Sequence, residues 1–305
     1  MSSLKGATRE AQLATITLIH NARAGIQPIA APTVLALLAR AGYRGRYVPA
    51  KRTANLTVAL GRRSQLVAVA GGDGTVADVL RAGRDLPLSV AILPSGVANN
   101  IAQSLRIGGA ALPGVVAAWR ASRPQPVNLA TVAVDGMEQL MVESVGLGAL
   151  AAATRTMPHR KTSSFARAHA LSQTRRHYRD AIAAAPPMKR LTIDGEPSAS
   201  RPIFAEILNI PLSGPNLPLA DGVALGDSHI AIVYGTEAHR GPLVDWLDAG
   251  ALAATRPGLP TVTAKAVTVE WAGGPLRIDD EVTDITKGRL TVTSRPARIR
   301  VLVPH

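Results

Sequence analysis

The sequence predicts two domains: an α/β domain with a parallel sheet over residues 1–127, then a β-rich, sandwich-like domain over residues 128–285. Three observations carry that prediction. Apolar strands alternate with helical stretches through the first part, the pattern of a parallel sheet covered by helices. Prolines then interrupt at "SRPQPVNLATVAV", residues 122–134, and the chain changes character there. Beyond it, short runs rich in Val, Ile and Thr are separated by Gly, Pro and Asp turns, as in an antiparallel sandwich or barrel.

In order, "TITLIH" reads as a strand and "PTVLALLARAG" as a helix, followed by strand "LVAVA", helix "VADVLRAG", strand "SVAILP" and helix "NNIAQSL". The strand candidates of the second part are "NLATVAV", "QLMVESVGLGA", "RLTIDG", "IFAEILNI", "HIAIVYG", "TAKAVTVEW", "PLRIDD", "RLTVTS" and "RIRVLV". One helical interlude, roughly Ser163 to Ala185, breaks that series. The apolar run from Leu13 to Ile19 is too short to span a bilayer, and no run of about 18 apolar residues occurs elsewhere. A chain that does not cross a membrane is the expectation.

At 305 residues and 47% hydrophobic, the chain can bury a substantial core. The absence of cysteine excludes disulfides, thiolate nucleophiles and cysteine metal sites, and fits a reducing, cytoplasmic compartment. A net charge of +13 favours an anionic partner, either nucleic acid or an acidic membrane surface. Aromatic residues make up only 3%, so stacking platforms for single-stranded nucleic acid are scarce and that partner is disfavoured.

The chemistry concentrates at "VAVAGGDGTVADVL", residues 67–80. Glycines after a strand let backbone amides approach a ligand, and the following helix points its N-terminal amides at the same place, so phosphate is the natural guest. No lysine follows at Walker A spacing. Gly72, Gly74 and Ala77 satisfy a loose dinucleotide fingerprint, yet no acidic residue ends the next strand, as that fingerprint requires. Asp73 at the centre of the turn would repel a pyrophosphate unless a cation lay between them, and Mg²⁺ binds phosphate oxygens and one or two carboxylates together. Metal-nucleotide binding is the reading.

Two further stretches stand in order with it. "NARAG" (Asn21 to Gly25) follows the first strand, "GGDGT" (Gly71 to Thr75) the third and "LPSGVANN" (Leu93 to Asn100) the fourth. The set resembles the diacylglycerol kinase catalytic-domain superfamily, which includes bacterial diacylglycerol kinases, sphingosine kinases and ceramide kinases. Its usual forms are N-P-x-S-G, G-G-D-G-T and L-P-x-G-T-x-N-D. "ESVGLGA" (Glu143 to Ala149) looks like the family's entry into its lipid-binding domain, "NIPLSGPNLPLA" (Asn209 to Ala220) like its Gly- and Pro-rich loop, and "DDE" (Asp279 to Glu281) like its C-terminal D-G-E.

The resemblance implies a nucleotide domain completed by a returning C-terminal segment, about 286–305, and a β-sandwich lipid-binding domain. It implies that Gly71, Gly72, Asp73, Gly74 and Thr75 hold the ATP phosphates, that Asn21, Gly25 and Thr53 border the nucleotide, and that Gly96 and Asn99 close the site. Asp73 would contact Mg²⁺ or the attacking hydroxyl. Phosphoryl transfer needs positioning more than covalent help, so a glycine cradle, a metal and a carboxylate suffice. Asp279 and Glu281, at i and i+2, would share one face if the strand "LRID" continues through them, an arrangement suited to a base and a supporting acid. "DGE" at Asp194 to Glu196 matches the family tripeptide better, but the "DDE" order in the chain favours the C-terminal stretch. A structural Mg²⁺ site of bacterial relatives would fall at "ALGDSHI", where Asp227 is retained.

Departures narrow the resemblance. Val97 stands where the family has threonine, Asn100 where it has aspartate, and Asp280 where it has glycine, a residue whose left-handed backbone aspartate tolerates better than most. Loss of the aspartate brings the motif nearer the sphingosine kinase form. His159, His169 and His177 show no metal-ligand spacing and read as a polar helix face. The stretch from Arg155 to Arg190 holds Arg160, Lys161, Arg167, Arg175, Arg176, Arg179 and Lys189 against a single acid, Asp180. Such a patch could dock the protein at the inner face of an anionic membrane, each cation contributing about 1 kcal/mol.

The expected function is therefore an ATP- and Mg²⁺-dependent kinase acting on the primary hydroxyl of a ceramide, sphingoid base or diacylglycerol. An NAD kinase, which shares "GGDGT", and a silent basic regulator or nucleic-acid binder are the alternatives. Oligomeric state stays open, a homodimer included.

Overall fold

The computed structural model describes residues 13–50, 53–61, 66–108, 111–157, 167–189, 191–198, 201–250 and 256–304. Strand β1 (Ala14–His20) ends in five consecutive buried residues, because it lies inside a parallel sheet with both faces covered. Helix α1 (Ala31–Arg40) starts at a proline and turns Val34 and Leu38, four apart, to the core. Next come β2 (Tyr43–Pro49), α2 (Thr53–Leu60), β3 (Leu66–Gly71), α3 (Asp73–Gly83), β4 (Ser89–Pro94), α4 (Asn100–Ser104) and α5 (Leu112–Ala118). The strands lie parallel in the order β2-β1-β3-β4. Val76, Val79 and Leu80 of α3 pack on Val67, Val69 and Ile92 across one face, and Leu38 and Trp119 cover the other.

The chain continues through β5 (Arg123–Val134), β6 (Met137–Met141), β7 (Ser144–Gly148), α6 (Ala149–Thr156), α7 (Arg167–Ala184), β8 (Leu191–Ile193), β9 (Glu196–Pro197) and β10 (Pro202–Leu208). After the small hairpin β11 (Leu212–Ser213) and β12 (Leu217–Pro218) come β13 (Ile230–Thr236), α8 (Glu237–Ala249), β14 (Thr261–Ala264), β15 (Ala266–Trp271), β16 (Gly274–Ile278), β17 (Glu281–Ile285) and β18 (Gly288–Val303).

Strand β18 joins the two parts. Its first half pairs antiparallel with β15, and its end returns to the first sheet, where Arg300 and Val301 pair parallel with Ser89 and Val90. Strand β5 pairs with β18 along both halves, so the 127/128 position falls inside a continuous strand. The second sheet, β14-β13-β10-β7-β16-β17, is antiparallel and stacks on the β5/β15/β18 end of the first through Val132, Leu147, Ile207, Val269 and Val292. That is the sandwich the sequence predicts.

Where one helical interlude was expected, three helices occur. Helices α6, α7 and α8 cover the outer face of the second sheet, with Leu150, Tyr178, Ile182 and Leu243 packed on Phe204 and Val233. This explains why β10 is buried along its whole length, with a sheet on one side and helices on the other. Residues 163–166 of the expected interlude lie outside the described residues.

Candidate active site

Three loops meet at the C-terminal ends of β1, β3 and β4, the edge where open α/β sheets bind ligands. Glycine lets their backbones touch. Gly25 has φ +78°, and a Cβ there would stand 2.1 Å from the Ser95 carbonyl oxygen. A Cβ on Gly96 would stand 2.5 Å from the Gly72 Cα. Asn99, left-handed at φ 55°, closes the third loop: its Oδ1 accepts the Gly96 amide at 2.8 Å and its Nδ2 donates to the Gly96 carbonyl at 2.9 Å. Asn21 Nδ2 donates to Thr75 Oγ1 at 3.1 Å and ties the first loop to α3. Asn21, Gly25, Gly71 to Thr75, Gly96 and Asn99 are thus one cradle, with the first-turn amides of α3 opening into it. Thr53 opens α2, and its side chain lies outside the described residues.

The adjoining cavity holds about 440 Å³. Gly25, Asp73, Val97 and Asp280 line its end at the cradle, and Met157, Ala170, Leu171 and Thr174 line the end under α6 and α7. Asp73 opens α3 and turns its carboxylate to the start of α4, where Oδ1 accepts the Ile101 amide at 3.0 Å. Burial raises its pKa, and the amides of Ile101, Asn100 and Asn99 offset part of the rise.

Beside it, Asn100 Nδ2 donates to Glu143 Oε2 at 3.2 Å and to the Gly214 carbonyl at 2.9 Å. Glu143 is buried between β6 and β7, and burial, with the nearby Asp73 and Asp279 carboxylates, pushes its pKa well up. The position where the resemblance has aspartate thus carries the amide that links Asp73's neighbourhood to Glu143.

The "DDE" stretch differs from its expected form. Strand β16 stops at Ile278, which pairs with Glu281 across a two-residue hairpin turn made of Asp279 and Asp280. Asp279 and Glu281 therefore do not share a strand face, and the left-handed residue is Asp279 (φ 52°) rather than Asp280. Asp279 is buried, and its Oδ1 accepts the amides of Glu143 at 2.7 Å and Ser144 at 3.2 Å. Its Oδ2 accepts the Val142 amide at 3.0 Å and pairs with the Arg81 guanidinium. Asp279 also lines the cavity, so this carboxylate is both tied into the scaffold and placed at the site. Glu281 is exposed outside the cavity, with no hydrogen-bond or ion-pair partner among the described residues. Asp280 reaches back to α3, its Oδ2 standing 3.2 Å from where a Gly74 Cβ would be.

The rival "DGE" is also a hairpin turn, Asp194 at φ 51°, but it is exposed between β8 and β9 at the far edge of the first sheet. Asp227 accepts the Ala224 amide at 2.9 Å in its own exposed turn. Among the described residues no group of three His, Asp or Glu is placed to hold a metal.

Sequence reasoning missed the buried pair Arg277 and Glu206, at 2.7 Å, which Ser144 and Ser213 complete through hydrogen bonds to Arg277 Nη2 at 3.0 and 3.1 Å. Burial alone would lower the Arg277 pKa, but Glu206, Tyr178 and Glu143 together outweigh it and raise it, which keeps the guanidinium charged. The available signal was a charge within each apolar run, "FAEIL" and "PLRI". Of the basic stretch, Arg155 pairs with Asp284 at 2.5 Å, Arg179 with Asp248 at 3.1 Å, and Arg175 donates to the Pro215 carbonyl at 3.2 Å. Arg176 and Lys189 are exposed. Arg160, Lys161, His159 and Arg190 lie outside the described residues, as does the Arg167 side chain. His169 and His177 sit on α7, where His177 meets Thr156 at 3.0 Å.

Residues 15–132 match the diacylglycerol kinase catalytic domain family. Among solved structures, the chain is similar to a diacylglycerol kinase from Bacillus anthracis strain Sterne, with TM-score 0.65, 17% identity and 96% of this chain and 97% of that chain covered. A second structure from the same organism, of a protein assigned to the diacylglycerol kinases, gives TM-score 0.69 at 16% identity over 96% of this chain and 97% of that one. At this identity the likeness speaks for the fold. None of the curated proteins matches the chain.

Proposed function

Residues 15–132 belong to the diacylglycerol kinase catalytic-domain superfamily, and from that premise we propose that the whole chain is an ATP-dependent kinase that phosphorylates the primary hydroxyl of a membrane lipid. One observation carries the reading: a single cavity is walled by Asp73 and Asp280 at one end and by Met157, Ala170 and Leu171 at the other. A phosphate cradle and an apolar sleeve that share one space suit a polar donor and a lipid acceptor. Its 440 Å³ is within the ordinary range for ligand clefts, about 300–1,000 Å³.

The residues present fit ATP, since glycine at 25, 72 and 96 lets the three loops close on one another beside the α3 N-terminus, where backbone amides can gather round phosphate oxygens. Asp73 and Asp280, flanking the first turn of α3, would hold the accompanying Mg²⁺, which needs only one or two carboxylates beside the phosphates. Bound there, the ion supplies neutralisation of the charge that develops on the transferred group. The Asp227 turn does not fit a metal, because it gathers a single carboxylate already spent on its own backbone. Of the candidate bases, Asp73 and Asp279 line the cavity, where an acceptor hydroxyl would come within reach, and Glu281 stands outside it. The Asn100 amide and Glu143 hold the α4 start and the β6–β7 junction in register behind Asp73.

No helix among the described residues is long and apolar enough to cross a membrane. We propose peripheral docking at the cytoplasmic face through the basic stretch around α7, where Arg176 and Lys189 are exposed. Flotation with anionic and neutral vesicles tests it, and equal binding to both would exclude an electrostatic role. ATP consumption measured with diacylglycerol, ceramide, sphingosine or NAD added in turn tests the activity. Stimulation by a lipid supports the reading, and stimulation by NAD alone overturns it.

A further inference from the structure

The inner end of the cavity is polar in a directed way. Thr154 on α6 and Tyr178 on α7 bring their hydroxyl oxygens to 2.7 Å. Thr154 Oγ1 also stands 3.1 Å from the Leu150 carbonyl one turn earlier in its own helix. A carbonyl only accepts, so the single Thr154 proton goes to Leu150 and the phenol of Tyr178 must donate its own proton to Thr154. What remains on the phenol oxygen is lone-pair capacity. No other hydrogen bond reaches that oxygen among the described residues.

Tyr178 is 2% exposed and lines the cavity, and its tip fits only because residue 214 is glycine, where a Cβ would stand 2.9 Å from the phenol oxygen. Helices α6 and α7 therefore hold a buried acceptor at fixed orientation. The Arg277 guanidinium at the same end makes no hydrogen bond to that oxygen among the described residues: Nη1 donates to the Asp279 carbonyl, Nη2 faces Glu206, Ser144 and Ser213, and Nε is left without a partner.

We propose that Tyr178, held as a hydrogen-bond acceptor by Thr154, determines specificity by selecting acceptor lipids that carry a hydrogen-bond donor besides the hydroxyl to be phosphorylated. The inference rests on the lipid-kinase reading. Two lipid classes meet the requirement: a monoacylglycerol through its second hydroxyl, and a ceramide through its amide N–H or secondary hydroxyl. A diacylglycerol offers only ester carbonyls there, and these meet the phenol acceptor to acceptor. Sites built to pair with a polar group reject analogues that lack it, because the buried partner is left unsatisfied.

Two variants separate this role from a packing role. Tyr178→Phe keeps the ring and removes the oxygen. Thr154→Val removes the group that receives the phenol proton, which turns the phenol into a donor and should reverse the preference. Equilibrium dialysis of the nucleotide-free protein with short-chain ceramide, monoacylglycerol and diacylglycerol reads the selection directly, and kcat/KM on the same lipids reads it in turnover.

Wild type is expected to favour at least one of the first two over diacylglycerol by about tenfold, a difference worth about 1.4 kcal/mol. Which of the two is favoured identifies the source of the donor. Tyr178→Phe should erase the preference, and Thr154→Val should move it toward diacylglycerol. A wild-type preference for diacylglycerol, or variants that shift all three lipids alike, would overturn the proposal. Failure to bind any lipid overturns it together with the lipid reading. Selective binding without lipid-dependent ATP use supports the selection and sinks only the kinase reading.

Discussion

The Arg81 guanidinium on α3 and the Asp279 carboxylate in the β16–β17 turn form an ion pair across 198 residues of chain. It fastens the helix that follows "GGDGT" to the hairpin that carries Glu281. Arg81 also donates to the Leu140 carbonyl at 3.0 Å, so one side chain grips both the hairpin and β6.

Breaking that pair from the buried side should cost the most. Asp279→Asn places an amide NH₂ against backbone N–H donors from Val142, Glu143 and Ser144, and it leaves Arg81 only the half-exposed Asp78 as an ion-pair partner. A loss of about 3 kcal/mol is expected, as for other broken buried pairs. Arg81→Gln should cost less, about 1–2 kcal/mol, since Arg81 is partly exposed and water can replace it. Urea denaturation checks both, and an Asp279→Asn protein as stable as wild type would remove the scaffold role.

Glu281→Gln should behave in the opposite way. The side chain is exposed and unpartnered among the described residues, so stability should stay within about 0.5 kcal/mol of wild type. Turnover should also stay within a few-fold of wild type, because the side chain stands outside the cavity. A fall of about 100-fold in kcat would instead make Glu281 the base.

Gly96→Ala tests the cradle. The new Cβ would lie 2.5 Å from the Gly72 Cα and 2.8 Å from Asn99 Oδ1, so one of two backbones must move. Nucleotide affinity should drop at least tenfold by equilibrium dialysis. A variant that binds ATP normally would show that the phosphates sit elsewhere.

Glu143 gives a pH dependence. Burial raises its pKa well above the ordinary carboxylate value, with Asp73 and Asp279 adding to the rise, so the folded state holds a proton that the unfolded state releases first. Stability from this group is complete below its unfolded pKa near 4 and is lost as pH rises through the folded value. Glu143→Gln cannot ionise and should be more stable than wild type at pH 8, by about 1–3 kcal/mol. The difference should close below about pH 4. An unchanged gap across that range would show that Glu143 does not titrate as its surroundings imply.

The layout of the fold was legible because its signals are local. Strands such as "LVAVA" and "SVAILP" are buried on both faces and therefore read as continuous apolar runs. Strand β2, "YRGRYVP", lies at the sheet edge and carries two arginines, so no apolar run marks it. Helix α8 has Pro242 in its interior, which hides it from a periodicity reading.

The cradle was legible for the same reason, since its glycines stand together in three short motifs. The setting of Asp279 was not legible because it depends on a turn that ends β16 one residue earlier than the apolar pattern suggests, and on amides 135 to 137 residues away. Tyr178 and Arg277 gave no sign of meeting, because only the packing of α7 on the second sheet brings them to one cavity.

The most direct test follows the γ-phosphate itself. With terminally labelled ATP, Mg²⁺, NAD and mixed micelles of ceramide, monoacylglycerol and diacylglycerol, label should enter the organic extract with wild-type protein and fall at least 100-fold with Asp73→Asn, a residue that lines both the cradle and the cavity. Label that stays in the aqueous phase as inorganic phosphate or on NAD, whatever lipid is present, would contradict the account.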